Sequence, residues 1–390
     1  MRLYLLAGFL GIFILIGCGR QELEDIRPES RIERGEAFAG AGLFSSLAVD
    51  ADGRPHVAYY HADHQSLRYG VWRDGAWALT TVDGGEGHDR GRQARLALAD
   101  EGRIYIAYQD SDDAAVRLAS YTEYGGWTTE TVDETSFRTG EFIALALVRN
   151  QPVVAYYDGS NGDLMLARKE SDEWVARAVD RHGDVGSYVS MVASVDGSLH
   201  MAYYDASHGG LKYAYTQADG TFVHERVGGY PDDATGANDV AAEPGSVDES
   251  VRDVGRWTSI QVQPLEGGDP RVASPRIVYQ DVTRSQLWLA EKTPTGWEHS
   301  LIDDDGFVGS DTAFLWLSPS HMVVTYFDST NLDLKIARHS SNGWTRRTLM
   351  SEGSVGMYNS MARLGDNRLA ITTYSLTRGE LLYLYVPERL

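Results

Sequence analysis

The sequence predicts an all-β fold, a seven-bladed β-propeller of four-stranded antiparallel blades. Three observations carry that expectation. A short apolar strand ending in tyrosine recurs seven times: Val57-Ala58-Tyr59-Tyr60, Ile106-Ala107-Tyr108-Gln109-Asp110, Val154-Ala155-Tyr156-Tyr157-Asp158, Met201-Ala202-Tyr203-Tyr204-Asp205, Ile277-Val278-Tyr279-Gln280-Asp281, Val324-Thr325-Tyr326-Phe327-Asp328 and Thr372-Thr373-Tyr374-Ser375. Successive first tyrosines lie roughly 48 residues apart except across one long gap, and a period of about 40 to 50 residues with several strands per unit is a propeller signature. Turn signals and an aromatic residue also recur at fixed places inside each unit.

The chain begins with Arg2, an apolar run from Leu3 to Ile16, then Gly17-Cys18. That run is too short for a comfortable membrane span and has the layout of a secretory signal. Its end, Leu15-Ile16-Gly17-Cys18, resembles the lipobox of bacterial lipoproteins. The resemblance implies removal of residues 1–17 and lipidation of Cys18, which is the single cysteine of the chain, so no internal disulfide can form. Acyl chains on Cys18 would hold the protein on a membrane while the rest stays in water. Residues 18–29 read as a polar tether, and 30–390 as one propeller domain. The expected location is therefore exported and lipid-anchored, at an outer membrane or cell surface.

Within the first unit the expected strands are 46–49, 55–60, 66–71 and 77–82. Asp52-Gly53 joins the first pair and Asp74-Gly75 the last, both hairpin signals between alternating apolar residues. The aromatic after the second turn is Trp77, Trp127, Trp174, Phe222, Trp297 and Trp344 in successive units, and most simply fills space between outer strands. The first tyrosines are expected to pack between neighbouring blades. The seventh unit ends at Leu390 without a fourth strand, whereas residues 29–33 resemble an outer strand that precedes a blade. The N-terminal segment is therefore expected to complete the last blade and close the ring, pairing edges that would otherwise be open.

Chain direction divides the loops between two faces. First-to-second and third-to-fourth turns share one face and are short; second-to-third loops and blade connections share the other and vary, which places function there. Those second-to-third loops begin at Asp110, Asp158, Asp205, Asp281 and Asp328, replaced by His61 in the first unit and Leu376 in the last. Such an aspartate can accept loop amide hydrogen bonds in an Asx-turn, or form an acidic ring for a glycan or a cationic peptide. The pairs Asp158/Asp163 and Asp328/Asp333 supply hard oxygen ligands at short spacing for Ca²⁺, although neither loop fits a dedicated calcium motif. The innermost strands are expected to begin with a small hydroxyl residue, at Ser46, Ser190, Ser259, Thr312 and Ser360, with Arg95 in the second unit. Arg95 can hold a carboxylate in a bidentate contact or form a surface ion pair with local acids. An acidic, Gly- and Ala-rich insertion at about 230–253 explains the long gap and is too poor in large apolar residues to build its own core.

A net charge of −21 with no basic block leaves nucleic acid without an electrostatic footprint. The Tyr-Tyr-Asp and Gly-Trp pattern resembles the repeats of bacterial secreted propellers near the sialidase-like and fucose-lectin-like superfamilies. The Asp-box of sialidases survives here in degraded form, around Ser340-Ser341-Asn342-Gly343-Trp344. The resemblance implies the fold more than an activity. A sialidase would need three convergent arginines, for which Arg34, Arg95 and Arg256 are the candidates. No nucleophile elbow, phosphate loop, metalloprotease motif or Cys/His cluster is present in the sequence. The reading is a monomeric, non-catalytic binding or scaffold propeller for a glycan or protein ligand, the alternative being a sialidase-like glycoside hydrolase.

Overall fold

Seven four-stranded antiparallel sheets form the ring, in a computed structural model that describes residues 28–34, 40–134, 138–230, 253–264, 273–318 and 320–389. The blades span 41–84, 90–133, 139–180, 185–228, 254–303, 308–350 and 355–387. Every blade but the last runs inner strand to outer strand in chain order. Asp74 and Gly75 both take positive φ, 52° and 80°, as a two-residue type I′ hairpin requires. Cys18, the expected signal and most of the expected tether lie outside the described residues, as do residues 231–252 of the insertion.

Closure follows the expected route. Ser30–Arg34 pairs antiparallel with Glu380–Pro387 as the outermost strand of the last sheet. It is pinned at three points: Ile32 is buried in the apolar cluster between blades one and seven, Arg31 reaches Glu380 at 3.1 Å, and the Glu33 carboxylate accepts from Tyr59 and Arg68 of blade one. The strand therefore joins two blades. Seven apolar clusters of this kind account for the core, each wedged between adjacent sheets.

The inner strands correct the sequence reading. They begin earlier, at Ala41, Arg90, Thr139, Val185, Val254, Val308 and Val355, because a bulged segment continues the ladder where a loop was expected. Each has a glycine at its second residue with positive φ: 42, 91, 140, 186, 255, 309 and 356. At Gly91 a Cβ would lie 2.6 Å from the Leu67 backbone, and at Gly186 one would lie 2.8 Å from Leu164 Cα. Glycine is required there by both backbone conformation and the approach of the preceding blade. Two residues later every inner strand takes a second left-handed residue, this time with a side chain: Phe44, Gln93, Phe142, Tyr188, Trp257, Asp311 and Tyr358, with φ from 48° to 58°. The register shifts on both sides of these residues mark a double bulge repeated around the ring.

Candidate functional site: the central channel

The first tyrosines are latches between blades. Tyr108, Tyr156, Tyr203 and Tyr326 donate to Asp83, Asp133, Asp180 and Asp303 on the outer strand of the preceding blade, and Tyr59 does the same to Glu33. A cation on the third strand, paired in register with the tyrosine, clamps the same carboxylate in four blades: Arg68, Arg117, Lys212 and Lys335. Burial would raise the pKa of Asp180, but Lys212, the His182 amide and Tyr203 outweigh it and hold the carboxyl well below the usual range. In blade five Tyr279 meets His299 Nδ1 at 2.9 Å on the outer strand of its own blade, as Tyr203 meets His224 in blade four. The expectation that these tyrosines bind blades together thus gains its polar half. The rim aromatics serve the same end, since Trp77, Trp127 and Trp297 set their rings edge-on to Tyr383, Tyr69 and Tyr213 of the preceding blade.

The aspartates that open the second-to-third loops are buried, with Asp110 0%, Asp158 5%, Asp205 2%, Asp281 1% and Asp328 1% exposed. Each turns at least one oxygen to its own loop. Asp158 accepts from Ser160 N at 3.0 Å and Asn161 Nδ2 at 2.7 Å, and Asp328 from Thr330 N, Asn331 N and Asn331 Nδ2. Asp110 takes the amides of Asp112 and Asp113 and the guanidinium of Arg90 at 2.7 Å; Asp281 takes the amide of Arg284. Asp205 accepts from His208 and from Tyr230 at 3.0 Å. This is the Asx-turn arrangement. His61 is 2% exposed, packs against His64 and leaves Nδ1 without a hydrogen-bond partner; burial lowers its pKa.

Asp163 and Asp333 stand opposite Asp158 and Asp328 in the ladders. Asp163 is engaged by Arg181 at 3.6 Å. Among the described residues no three His, Cys, Asp or Glu side chains are grouped as a metal site.

Open space lies along the ring axis instead. A cavity of about 440 Å³ is lined by all seven inner strands, and all seven left-handed residues reach it. Five are aromatic and half-buried. Phe142, Tyr188 and Trp257 form a contiguous arc, with ring centroids 4.5 and 5.1 Å apart, and Phe44 and Tyr358 form a second cluster at 4.8 Å. Gln93 and Asp311 interrupt the crown between them. Because the inner strands start from the blade connections, this crown belongs to the face with the varied loops.

Two residues beyond each crown position stand Ser46, Arg95, Ala144, Ser190, Ser259, Ala313 and Ser360. Thr312 is therefore out of step with the other hydroxyl residues named from the sequence; it donates to the Trp257 carbonyl. The serines are also wall rather than ligand groups in part: Ser46 Oγ accepts from Leu96 N and Ser360 Oγ from Leu47 N, each 3.0 Å. Six small side chains leave the bore open, and Arg95 projects from the seventh position.

Its neighbours Arg90 and Arg92 pair with Asp110 and Asp89. Arg95 makes no ion pair within 4 Å among the described residues; its Nη1 donates to the Ala94 carbonyl at 2.9 Å. Burial lowers its pKa, against the attraction of Asp311 across the ring. Asp311 is pushed up to about 7 by burial, against a hydrogen bond from the Tyr358 amide and the charge of Arg95. The three sialidase-type arginines do not converge. Arg34 sits on the outermost strand of the last blade, and Arg256 is held by Asp253 at 2.7 Å beneath Tyr204.

No family model and no curated protein matches the chain. Solved structures share its fold at low identity. A protein of unknown function from Dyadobacter fermentans is 10% identical with a TM-score of 0.54, over 94% of this chain and 100% of its own. Kuenenia stuttgartiensis hydrazine synthase is 9% identical with a TM-score of 0.55, over 89% of this chain and 96% of its own. A leech intramolecular trans-sialidase superposes more loosely, at 12% identity and a TM-score of 0.44, over 93% of this chain and 70% of its own. These are likenesses of fold, and they assign no activity.

Proposed function

We propose that this chain is a non-catalytic, glycan-binding propeller whose site is the mouth of the central channel. The observation that carries the reading is the crown: seven left-handed bulge residues around one axis, five of them aromatic and turned to open space. Flat apolar ring faces beside polar side chains suit a pyranose, which presents C–H faces and a hydroxyl edge. A cavity of about 440 Å³ accommodates one or two sugar rings and is cramped for a folded protein partner. The loop aspartates proposed from the sequence as ligand groups would act one layer back, holding the loops around the mouth.

The lipobox-like segment supports export and anchoring of this binder to a bacterial membrane through Cys18. The sialidase-like hydrolase remains the alternative, but among the described residues no convergent arginine cluster favours it.

A glycan array, followed by titration calorimetry on its best binder, tests the reading. Trp257→Ala is expected to weaken binding at least tenfold while leaving the melting temperature within a few degrees, since Trp257 is only half-buried. Unchanged affinity in this variant and in Phe142→Ala would overturn the channel-mouth site. Turnover of a fluorogenic glycoside, abolished by one substitution, would replace binding with catalysis.

A further inference from the structure

We infer that the central channel selects an acidic sugar, with Arg95 as the anchor for its carboxylate and Asp311 setting the pH range of capture. The inference rests on the proposed glycan site at the crown and names the ligand class that site would take.

Seven inner strands offer seven equivalent places beneath the crown, and six hold Ser or Ala. Arginine at the seventh puts a long cation into a bore that the other blades keep empty. The ordinary explanation for such a residue is an ion pair with a nearby acid. Arg90, Arg92 and Arg256 have that explanation, at 2.7, 3.1 and 2.7 Å from Asp110, Asp89 and Asp253. Arg95 does not. One donor is occupied by its neighbour's carbonyl, and the remaining fork lies beside the cavity. A half-buried guanidinium whose fork stays open to the cavity is a ready anion anchor, and a carboxylate is its best geometric complement.

Asp311 makes the site conditional. It stands in blade six, across the ring from blade two, and its Oδ1 is tied to the Tyr358 amide at 3.0 Å. Ionised, it partly neutralises Arg95 and repels an incoming carboxylate; protonated, it does neither and gains a donor. The pKa raised to about 7 puts that change within the working range of many environments. The other charged or titratable groups packed around the mouth would not change state nearby. Tyr188 and Tyr358 are raised, the latter to about 12, while Arg92 and Arg256 stay cationic and paired. Phe44, Gln93, Phe142 and Trp257 complete the crown without an ionisable group.

The matched probes are 4-nitrophenyl β-D-glucuronide and 4-nitrophenyl β-D-glucoside, which differ at one carboxylate. Titration calorimetry on the full propeller is expected to favour the glucuronide at least tenfold at pH 5.5, and to lose about that factor by pH 8.5. R95Q should equalise the two probes without weakening the glucoside, and D311N should retain the preference while flattening its pH dependence. W257A should weaken both. Equal affinity of the native protein for the two probes, or a preference that survives R95Q, overturns the anchor and leaves the crown as a neutral-sugar site. A pH dependence that survives D311N overturns the role of Asp311. Binding of neither probe overturns the anchor and the glycan reading together.

Discussion

Replacing Lys335 with methionine removes the cation from one latch while keeping the length and apolar character of the side chain. Lys335 Nζ lies 2.7 Å from Asp303 Oδ2 and 3.8 Å from Asp328 Oδ2, and the two carboxylates are 0% and 1% exposed. At an effective dielectric of about 20 those separations correspond to roughly 6 and 4 kcal/mol of attraction. The net loss is smaller, because burying the lysine itself carried a desolvation cost that the variant no longer bears. Asp303 also keeps the Tyr326 hydroxyl at 2.6 Å and Arg346 at 3.8 Å. The lower part of the range for breaking a buried pair, about 3 kcal/mol, is therefore expected. Urea unfolding followed by tryptophan fluorescence should show a lower midpoint with an unchanged slope. The double variant K335M/D303N should recover at least half of the loss, since it removes one of the stranded charges. A loss below about 1 kcal/mol, or a double variant no better than K335M, would refute the view that these buried carboxylates depend on the third-strand cation.

Removing residues 28–34 should lower thermal stability by several degrees and expose the edge of Glu380–Pro387, checked by differential scanning calorimetry and by light scattering for edge association; unchanged melting would refute N-terminal closure. His200 is buried against Tyr213, and burial lowers its pKa to about 4 from an ordinary 6.5. The unfolded chain then binds the proton first as pH falls, so stability should decline from pH 6.5 to 4, by at most about 3 kcal/mol, and level off below. His200→Gln should remove that part of the slope in pH-dependent denaturation; an unaltered profile would exclude His200 as its source. Cys18→Ser should move the protein from the membrane pellet to the soluble fraction of its native host, and continued sedimentation would discount lipid anchoring through that residue.

Repetition made the ring legible in advance. Each strand position is sampled up to seven times, so Tyr59, Tyr108 and Tyr156 could be aligned without any outside reference, and the missing outer strand of the last unit pointed to residues 29–33. Hairpin chemistry at Asp74-Gly75 was equally plain. The inner-strand bulges were missed because left-handed residues other than glycine have no compositional mark: Phe44, Gln93 and Asp311 share a backbone conformation and no side-chain chemistry. The signal that was available is the glycine two residues before each of them. The third-strand cations were also readable, nine residues beyond the tyrosine in Arg68, Arg117, Lys212 and Lys335. Their role needed the ladder register, which brings each cation beside the tyrosine and hence the carboxylate of the preceding blade.

The contrast between Lys335 and Arg95 shows how a repeat separates scaffold from function. Both are cations inside the ring, yet Lys335 is buried at a place where four blades put a cation and meets a carboxylate supplied by the neighbouring blade. That solution is written into the repeat, and its energetic return is the joint between sheets. Arg95 stands where the repeat puts Ser or Ala, so no neighbouring blade provides a carboxylate for it, and its charge works against the fold rather than for it. Stability at such a place favours the small residue, because Asp311 attracts Arg95 from across the ring without pairing with it. The same logic applies to Asp311, the acidic exception in a crown otherwise made of aromatics and Gln93. R95S is consequently expected to raise stability, by about 1 kcal/mol or more in urea unfolding, while abolishing selection of an acidic sugar. A destabilised R95S would make Arg95 part of the joint between blades and remove the structural case for it as a ligand anchor.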